Sequence, residues 1–229
     1  MDKKKGKNYK KNKKSFPIYY GVHLQIEEER KLLEAAKKSI EIINTNYKED
    51  FISMYETISE LIKRYDEAKK GNEENNRQNC IIEVNKMKYP KSFHITIVFG
   101  GNKGFDYNSE EVKGFIKGLK VDIKLLGLIV VPNKMVITPV QADFKTKNEF
   151  THITTFVGDL RPVQSNEILE GLFSKGMEME EDYKKIIEGK IEECVKKIKV
   201  KIEGKEFDAF VHLNNKIEKI KGTMKEYYD

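Results

Sequence analysis

Two stretches, FHITIVF at Phe93–Phe99 and FTHITTFV at Phe150–Val157, each place the tripeptide His-Ile-Thr inside a run of apolar and β-branched residues. Such runs are typical of β-strands. Because successive side chains of a strand point to opposite faces, His94 and Thr96 share one face. The opposite face is predicted to enter a core through Phe93, Ile95, Ile97 and Phe99.

The second stretch repeats this arrangement, with His152 and Thr154 on one face and Ile153 on the other. Each strand therefore presents an imidazole beside a hydroxyl on a rigid support. An unperturbed histidine pKa of about 6.5 lets one ring take a proton while another gives one. Threonine hydroxyls can donate hydrogen bonds to phosphoryl oxygens. The pair of motifs thus favours acid–base chemistry on a phosphodiester, without need of a metal or another cofactor.

The other two histidines lack this pattern. His23 and His212 are followed two positions later by Gln25 and Asn214 rather than by a hydroxyl residue. A single histidine on a strand is more often a satisfied structural residue than a catalytic one. We therefore expect structural roles for His23 and His212.

The remaining sequence is predicted to form strands with helices inserted between them rather than a regular alternation. This order predicts an α+β fold with mainly antiparallel sheet. A charged helical segment occupies 29–78, and the apolar stripe of its second helix is expected to pack on the first helix or the sheet, with a partner helix as the alternative. The other predicted elements are strands at 18–26, 81–84, 121–131, 135–142, 199–202 and 206–213, helices at 109–119, 165–173 and 178–196, and a charged, helical C-terminal tail at 217–228.

The length and charge of the chain indicate one domain and a polyanionic partner. At 229 residues the chain can bury a sizeable core, predicted as a single domain over 16–229. Residues 1–15 are rich in lysine and nearly without apolar side chains, which predicts a disordered basic tail. The net charge of +6 favours a polyanionic partner. The tail itself suits a nonspecific RNA tether, a nuclear-import signal or a solvated end without function.

Cysteine content and hydropathy indicate the cellular compartment of the protein. Cys80 and Cys194 are the only cysteines and have no ligand spacing around them, which predicts free thiols in a reducing compartment. No apolar run has the length of a membrane span, and the lysine-rich start lacks the apolar segment of a secretory signal. We expect an intracellular protein, cytoplasmic or nuclear, with no membrane partner.

Paired His-x-Thr motifs on separate strands resemble those of the two-histidine (2H) phosphoesterase superfamily. The likeness is greatest to the cyclic phosphodiesterase domain of fungal-type tRNA ligases, and it covers about residues 16–213. The K-x-D-G and G-x-x-x-x-G-K-[ST] motifs of the multidomain ligases do not occur in this sequence. Three further stretches resemble the same domain: Tyr19-Tyr20-Gly21-Val22, Leu126–Val131 with Asn133–Val136, and Arg161-Pro162-Val163-Gln164-Ser165-Asn166.

This resemblance implies two lobes around a central groove, each lobe contributing one motif strand. It implies hydrolysis of RNA 2′,3′-cyclic phosphate ends to 2′-phosphates, as in RNA repair and tRNA splicing. His94 and His152 would then be the catalytic acid–base pair, and Thr96 and Thr154 would bind the substrate phosphate. The family needs neither a metal nor a cofactor for this reaction. Separate RNA ligase or kinase components are the implied partners.

The motif alone leaves other functions open. A 2′,5′-oligoadenylate phosphodiesterase, or an exonuclease that trims RNA 3′ ends, would use the same pair of motifs. A noncatalytic module that binds RNA ends would present the same groove. Arg161 is a candidate for contact with a backbone phosphate. The candidates for stacking on a terminal base are Tyr19, Tyr20, Phe105 and Tyr107.

Overall fold

The structure is a computed structural model that describes residues 17–70, 82–100, 104–216 and 218–228. The predicted basic tail at 1–15 lies outside the described residues, as do Cys80 and the end of the predicted helical segment, 71–78. The described residues form eleven strands and five α-helices. The strands are β1 (Tyr19–Leu24), β2 (Glu83–Val84), β3 (Met87–Lys88), β4 (His94–Phe99), β5 (Lys120–Leu125), β6 (Gly127–Val131), β7 (Met135–Ala142), β8 (His152–Val157), β9 (Glu193–Ile202), β10 (Lys205–Asn214) and β11 (Lys219–Tyr227). The helices are α1 (Ile26–Asn46), α2 (Lys48–Lys70), α3 (Glu110–Lys113), α4 (Ser165–Phe173) and α5 (Glu180–Ile187).

The fold is α+β with antiparallel pairing, as the sequence predicts. Strands follow the order β2-β3-β8-β7-β5-β11-β1-β4, while β6 joins β7 to β10 and β10 joins β9. Strand β7 belongs to both halves of this sheet. Its residues 135–139 pair with β6 and β8, and its residues 140–142 pair with β5. One half therefore contains β4 and the other contains β8, and β7 connects the two halves.

The sheet bends until its two motif strands lie side by side. Although β4 and β8 are far apart in the strand order, their Cα atoms come within 8 Å of each other. The segment before β8 also bonds to β4, because the Lys147 amide donates to the Ile97 carbonyl at 2.8 Å. The two His-Ile-Thr sequences thus meet although they belong to different halves of the sheet.

Two hydrophobic cores hold this arrangement. In the first core, α1 and α2 pack against each other and against the sheet, so the apolar stripe of α2 is covered within the chain. Leu32, Ile40 and Ile58 are fully buried there. In the second core, α4 and α5 pack on β6, β7, β9 and β10. Truncating a fully buried leucine or isoleucine in either core to alanine typically costs 2–5 kcal/mol.

One predicted strand is in fact two. The sequence predicts a single strand over 121–131, whereas the structure breaks it between Leu125 and Gly127. Gly127 has φ +134°, a conformation that side chains disfavour. The break sends β5 to one half of the sheet and β6 to the other, while both remain paired with β7. The corner between the two halves therefore depends on this glycine.

The predicted helix at 178–196 is wrong in its second half. Helix α5 ends at Ile187, and Gly189 follows with φ +71°, the left-handed conformation that commonly terminates a helix. The chain then enters β9, which pairs with β10 over its whole length. Helix α3 likewise begins after the predicted Ser109 cap but ends at Lys113, well before residue 119.

The predicted helical tail at 217–228 is also wrong, because its described residues contain strand β11. Strand β11 pairs with β1 on one side and β5 on the other. Ile220, Gly222 and Met224 are buried, and exposed or half-buried residues alternate with them. This period of two fits a strand, and pairing on both edges outweighs the weak helical preference of a lysine-rich sequence.

We expect Gly127→Ala to destabilise the fold, since the added Cβ would lie 1.9 Å from the His212 carbonyl oxygen. The positive φ adds backbone strain, so the free energy of unfolding should fall by more than about 1 kcal/mol. Gly171→Ala in α4 is the control, because no atom lies within 4 Å of its added Cβ. That control should gain roughly 0.5–1 kcal/mol. Urea unfolding of both variants checks this, and equal stabilities would contradict it.

Candidate active site

Both motifs bury their central residue in the same core. Ile95 and Ile153 are 1% and 0% exposed, and both belong to the core formed with α1 and α2. Neighbouring residues of a strand point to opposite faces, so the histidine and threonine of each motif project away from that core. Because β4 and β8 lie side by side, the four polar side chains emerge on one side of it.

Each motif strand carries a β-bulge directly after its threonine. On β4, Gly21 of β1 pairs with Thr96 and Tyr20 pairs with Val98, so Ile97 is the extra residue. On β8 the pairing with β7 skips Thr155 in the same way, between Thr154 and Phe156. Bulges are frequent beside active sites, where they redirect side chains. The two motifs therefore share a backbone irregularity as well as a sequence.

The first bulge explains why one core prediction is wrong. Phe93 and Ile97 are buried as expected, but Phe99 is 64% exposed. The extra residue shifts the alternation by one position, so that Phe99 pairs with Tyr19 and points to the same side as His94. A strict period of two, applied to the sequence, could not show this shift.

His94 is held through one ring nitrogen. Its Nδ1 lies 3.1 Å from the Ser92 carbonyl oxygen and 3.3 Å from the Ser92 hydroxyl. A carbonyl oxygen only accepts, so this bond places a proton on Nδ1 and leaves Nε2 unprotonated in the neutral ring. The ring is half-buried, and Nε2 has no hydrogen-bond partner within the described residues. Nε2 is thus the atom available to a substrate.

His152 is held in the same way, by a hydrogen bond from its Nδ1 to a backbone carbonyl. Its Nδ1 lies 2.8 Å from the carbonyl oxygen of Phe150, again two residues before the histidine. Its Nε2 lies 2.6 Å from the Ser165 hydroxyl, which lies 2.7 Å from the Pro162 carbonyl oxygen. The serine can donate to the neutral ring, or accept from the protonated ring while donating to Pro162. Ser165 therefore supports either protonation state of His152.

The threonine hydroxyls of both motifs form no hydrogen bond to other protein groups of the described residues. Thr96 and Thr154 are half-buried, and neither makes a side-chain hydrogen bond in the described parts of the chain. The buried Thr138 and Thr155 hydroxyls, in contrast, bond to each other at 2.8 Å. The motif threonines can therefore donate to an anionic ligand placed beside the two imidazoles.

Burial lowers the pKa of both motif histidines below the usual histidine value. For His94, burial outweighs the opposing effect of its bond to Ser92. For His152, burial is again the largest cause, and the charge of nearby His94 lowers the pKa further. The two rings thus interact electrostatically, and both are neutral at neutral pH in the free protein. A bound phosphate would raise both pKa values, since an anion favours the charged form.

His23 is a residue of this site that the sequence did not identify. It pairs directly with His94 across β1 and β4, and their ring centroids are 5.4 Å apart. Its Nε2 is buried without a hydrogen-bond partner. Burial, followed by the charges of His94 and Lys225, lowers the pKa of His23 to about 4. The position of His23 beside His94 depends on the pairing of β1 with β4, and the spacing of residues within β1 does not reveal that pairing.

His212 lies away from the two motif strands, and its structural role stays a prediction. It is 1% exposed on β10, and its Nε2 lies 3.0 Å from the Glu193 carboxylate. Burial lowers the pKa of His212, and the bond to Glu193 opposes this effect. Its neighbours in the sheet, β6 and β9, carry neither motif.

Strands β4, β1 and β11 form one continuous surface around His94, which we call the motif face. Residues that are paired across neighbouring strands point to the same face. The strand register therefore arranges the side chains of the motif face in rows, each with one residue from β4, β1 and β11. Gly21 is required there, because an added Cβ would lie 2.8 Å from the Ile95 carbonyl oxygen and 3.1 Å from the Tyr19 ring. The three rows, in order along the strands, are His94–His23–Thr223, Thr96–Gly21–Lys225 and Phe99–Tyr19–Tyr227.

The structure places the predicted stacking residues in different settings. Tyr19 is 8% exposed and stacks on His94 at 4.8 Å and on Tyr227 at 4.6 Å, so it forms the floor of the motif face. Tyr20 points into the core and stacks on Phe105. Tyr107 is 58% exposed. The candidate for phosphate contact, Arg161, lies on the surface with its guanidinium 3.8 Å from Glu203.

The described residues provide neither a metal-binding cluster nor a membrane-spanning helix. They contain no group of three or more His, Cys, Asp or Glu side chains placed to hold a metal ion. In the same part of the chain, no helix is long and apolar enough to cross a membrane. Two surface cavities of about 360 and 420 Å³ lie beside Ile97 and Phe150, and neither is lined by a motif histidine or threonine.

Comparison with known proteins gives a fold relationship. No protein-family model and no curated protein matches the sequence. The structure is similar to one titled "Crystal Structure of Fungal RNA Kinase", with a TM-score of 0.51 and 16% identity. The similarity covers 95% of this chain and 47% of that chain, so this chain spans about half its length. This likeness shows the fold alone.

We expect His23 to titrate near pH 4, which is measurable by NMR of its ring protons. A folded pKa below the unfolded value of about 6.5 means that the unfolded state binds more protons between these values. The free energy of unfolding should therefore fall as pH drops from about 6.5 to about 4. His23→Phe keeps a ring against His94 but removes this contribution, so it should lose less stability over that range.

Lys225→Met serves as the matched variant, because it removes the ammonium that lowers the pKa of His23 and leaves the ring in place. The NMR titration of His23 should then move to higher pH. A His23 pKa near 6.5 in the wild type, or an unchanged value in Lys225→Met, would contradict this description of the site.

Proposed function

We propose that this protein is a phosphodiesterase of the two-histidine type, which hydrolyses the 2′,3′-cyclic phosphate ends of RNA to 2′-phosphates. The observation that carries the proposal is the placement of both His-Ile-Thr motifs side by side, directed away from a shared core. The matching Nδ1 bonds to backbone carbonyls add to it, because they hold both imidazoles in the same tautomer. Nε2 of His94 is then open to a substrate, whereas Nε2 of His152 is bonded to the Ser165 hydroxyl.

In the proposed reaction, water attacks the phosphorus atom and the P–O3′ bond breaks. One imidazole accepts the proton of the water, while the other, protonated, gives a proton to the departing 3′ oxygen. His94 would transfer its proton directly through Nε2, and His152 would transfer its proton from Nε2 through the Ser165 hydroxyl that is bonded to it. The products are a 2′-phosphate and a 3′-hydroxyl. Positioned proton transfers typically contribute 10²–10⁴-fold each to the rate. The roles return to their starting states once the two rings exchange protons with solvent.

The threonines would stabilise the charge on the phosphoryl oxygens. Thr96 and Thr154 each follow their histidine on the same face, and neither hydroxyl has a protein partner in the described residues. Hydrogen bonds to oxygens that gain charge in the transition state are among the largest contributions to catalysis. The scheme therefore assigns a role to every polar side chain of the two motifs.

RNA as the substrate class is supported by charge and by the fold. Lys225 is exposed on the motif face and forms no ion pair within the described residues, so its ammonium is available to a phosphate. The net charge of +6 favours polyanions in general. The structure with the similar fold is titled as a fungal RNA kinase, an enzyme that acts on RNA.

We expect His94→Ala and His152→Ala each to lower turnover of cyclic-phosphate RNA by roughly 10²–10⁴-fold, with the fold retained. His212→Gln is the control, since it alters a buried histidine on β10 and should retain activity. The assay is run in EDTA and compares cyclic-phosphate RNA with 2′,5′-linked adenylates and 3′-hydroxyl RNA. Full EDTA-resistant turnover by either alanine variant would overturn the assignment, and binding without turnover in the wild type would indicate a noncatalytic module.

The pH dependence of kcat/KM gives an independent check, because it reports the pKa values of the free enzyme. Burial lowers the pKa of both motif histidines. Both the rise and the fall of kcat/KM with pH should therefore occur below about pH 6.5. Activity should fall at higher pH as the acid loses its proton, and at lower pH as the base gains one. A profile that rises steadily to pH 8 would contradict this acid–base pair.

A further inference from the structure

We propose that a group of lysines beside the motif face binds the phosphate backbone of single-stranded RNA, so that the preferred substrate is an RNA chain rather than a free nucleotide. This inference rests on the proposed function, because it places the reactive end of the chain at the two motifs. The lysines lie on β5 and on β11, which the sequence predicted as a charged helical tail. They form what we call the basic strip: Lys120, Lys124, Lys219 and Lys221.

Strand alternation places these lysines on one face of the sheet. Lys219 and Lys221 are exposed, and Ile220 between them is buried in the core formed with α1 and α2. Lys219 pairs with Lys124 of β5, and residues paired across neighbouring strands share a face. The ammonium groups of both strands therefore extend from the surface opposite that core.

The strand register connects the basic strip to the motif on β4. His94 pairs with His23 of β1, and His23 pairs with Thr223 of β11. Thr223 pairs in turn with Lys120 of β5. This row crosses four strands on one face of the sheet, and three strand spacings amount to roughly 14 Å. An RNA chain whose end lies at His94 can therefore reach the basic strip on the same surface.

The positive charge of the basic strip is not neutralised by carboxylates. None of its lysines forms an ion pair within the described residues. Lys199 of β9, in contrast, forms an ion pair with Asp208. Lys201 of the same strand lies 3.8 Å from Glu206. Of the residues that β5 and β11 present on the face of the basic strip, Asp122 is the acidic one. This excess of ammonium groups attracts a polyanion.

A carboxylate at the edge of β11 is itself paired. Glu28 of α1 accepts a hydrogen bond from the Lys221 backbone amide at 2.8 Å, and it forms an ion pair with Lys31 at 3.1 Å. The Lys31 ammonium therefore offsets the charge of Glu28. On the side of the motifs, Lys225 adds a further ammonium to the same face, two residues beyond Thr223.

The spacing of the lysines suits the repeat of a nucleic-acid backbone. Side chains two residues apart on a strand are separated by about 7 Å, which is comparable to the distance between successive phosphates of an extended chain. Lys219 lies four residues from Thr223, about 13 Å along β11. The path from His94 to Lys219 accommodates roughly four nucleotides, within the range of known single-strand binding surfaces. A free nucleotide is too short to reach Lys219.

An anionic membrane is the other polyanion that such a surface attracts. The basic strip shares its face with His94, so a membrane seated on the lysines would also cover the imidazole that the substrate must reach. A nucleic-acid strand, in contrast, can lie along the same face and end at His94. The placement of the lysines therefore favours RNA.

The double variant Lys219→Gln/Lys221→Gln tests RNA binding without requiring turnover. The probe is a fluorescein-labelled RNA octanucleotide with a 2′-phosphate end, followed by anisotropy at several salt concentrations. Loss of two phosphate contacts should reduce the slope of log Kd against log salt by about 1.4 and raise Kd at 0.1 M salt roughly 10- to 30-fold.

Lys199→Gln/Lys201→Gln is the matched control, because it also removes two ammonium groups two residues apart on an exposed strand. It should keep the slope and the Kd of the wild type. An unchanged slope in Lys219→Gln/Lys221→Gln, or an equal change in both double variants, would overturn the proposal.

Kinetics against chain length provide the second test. For cyclic-phosphate RNA of one to eight nucleotides, kcat/KM should rise with length up to roughly four nucleotides and then level off. The rise should lie in KM, because backbone contacts stabilise substrate and transition state equally. The ratio of kcat/KM for the octanucleotide to that for the nucleoside cyclic phosphate should fall in Lys219→Gln/Lys221→Gln but not in the control. A wild-type ratio near one would contradict the basic strip.

Sedimentation with vesicles of phosphatidylserine and phosphatidylcholine addresses the membrane. We expect no difference in sedimentation between the wild type and Lys219→Gln/Lys221→Gln. Vesicle binding that depends on these two lysines, with RNA affinity unaltered, would overturn the proposal in favour of a lipid surface.

The two proposals fail in distinguishable ways. RNA binding that depends on Lys219 and Lys221, without turnover by the wild type, would retain the basic strip and reject the phosphodiesterase. Turnover that depends on His94 and His152 but not on chain length would retain the enzyme and reject the basic strip.

Discussion

Burial of Ile95 and Ile153 in one hydrophobic core is the constraint on which the candidate site depends. The two residues come from strands in different halves of the sheet, and the shared core aligns them together with the backbone bond from Lys147 to Ile97. Since each is the middle residue of its motif, burying both turns the flanking histidines and threonines to the same side. The helices α1 and α2 complete this core, which links the helical segment to the geometry of the site.

The local backbone of each strand orients the side chains of its own motif. The carbonyls of Ser92 and Phe150 hold the two imidazoles in the same tautomer, two residues ahead of each histidine. The bulges that follow Thr96 and Thr154 end the regular alternation at the same point. The resemblance of the motifs thus extends from side chains to backbone, which independent structural histidines would not require. On β4 the bulge also brings an aromatic ring to the motif face.

Predictions from the sequence succeeded where one strand or helix carried all the needed information. The α+β class, both motif strands and the packing of the helical segment followed from periodicity. Several errors share one cause, since they depend on contacts between distant segments, whereas the helix predicted over 178–196 ends locally at Gly189. Strand β11 is stabilised by pairing on both edges, and β5 parts from β6 at Gly127 because β7 serves both halves of the sheet. A local pattern contains neither fact.

The sequence by itself determined which side chains lie together within each strand, because the period of two is a property of the local backbone. It thereby paired His94 with Thr96, and His152 with Thr154, before any contact between strands was known. Only the tertiary structure decided that these pairs meet, that His23 stands beside His94, and that Phe99 faces outward. Strand register, bulges and sheet curvature decide these placements, and all three arise from pairing between residues far apart in the chain.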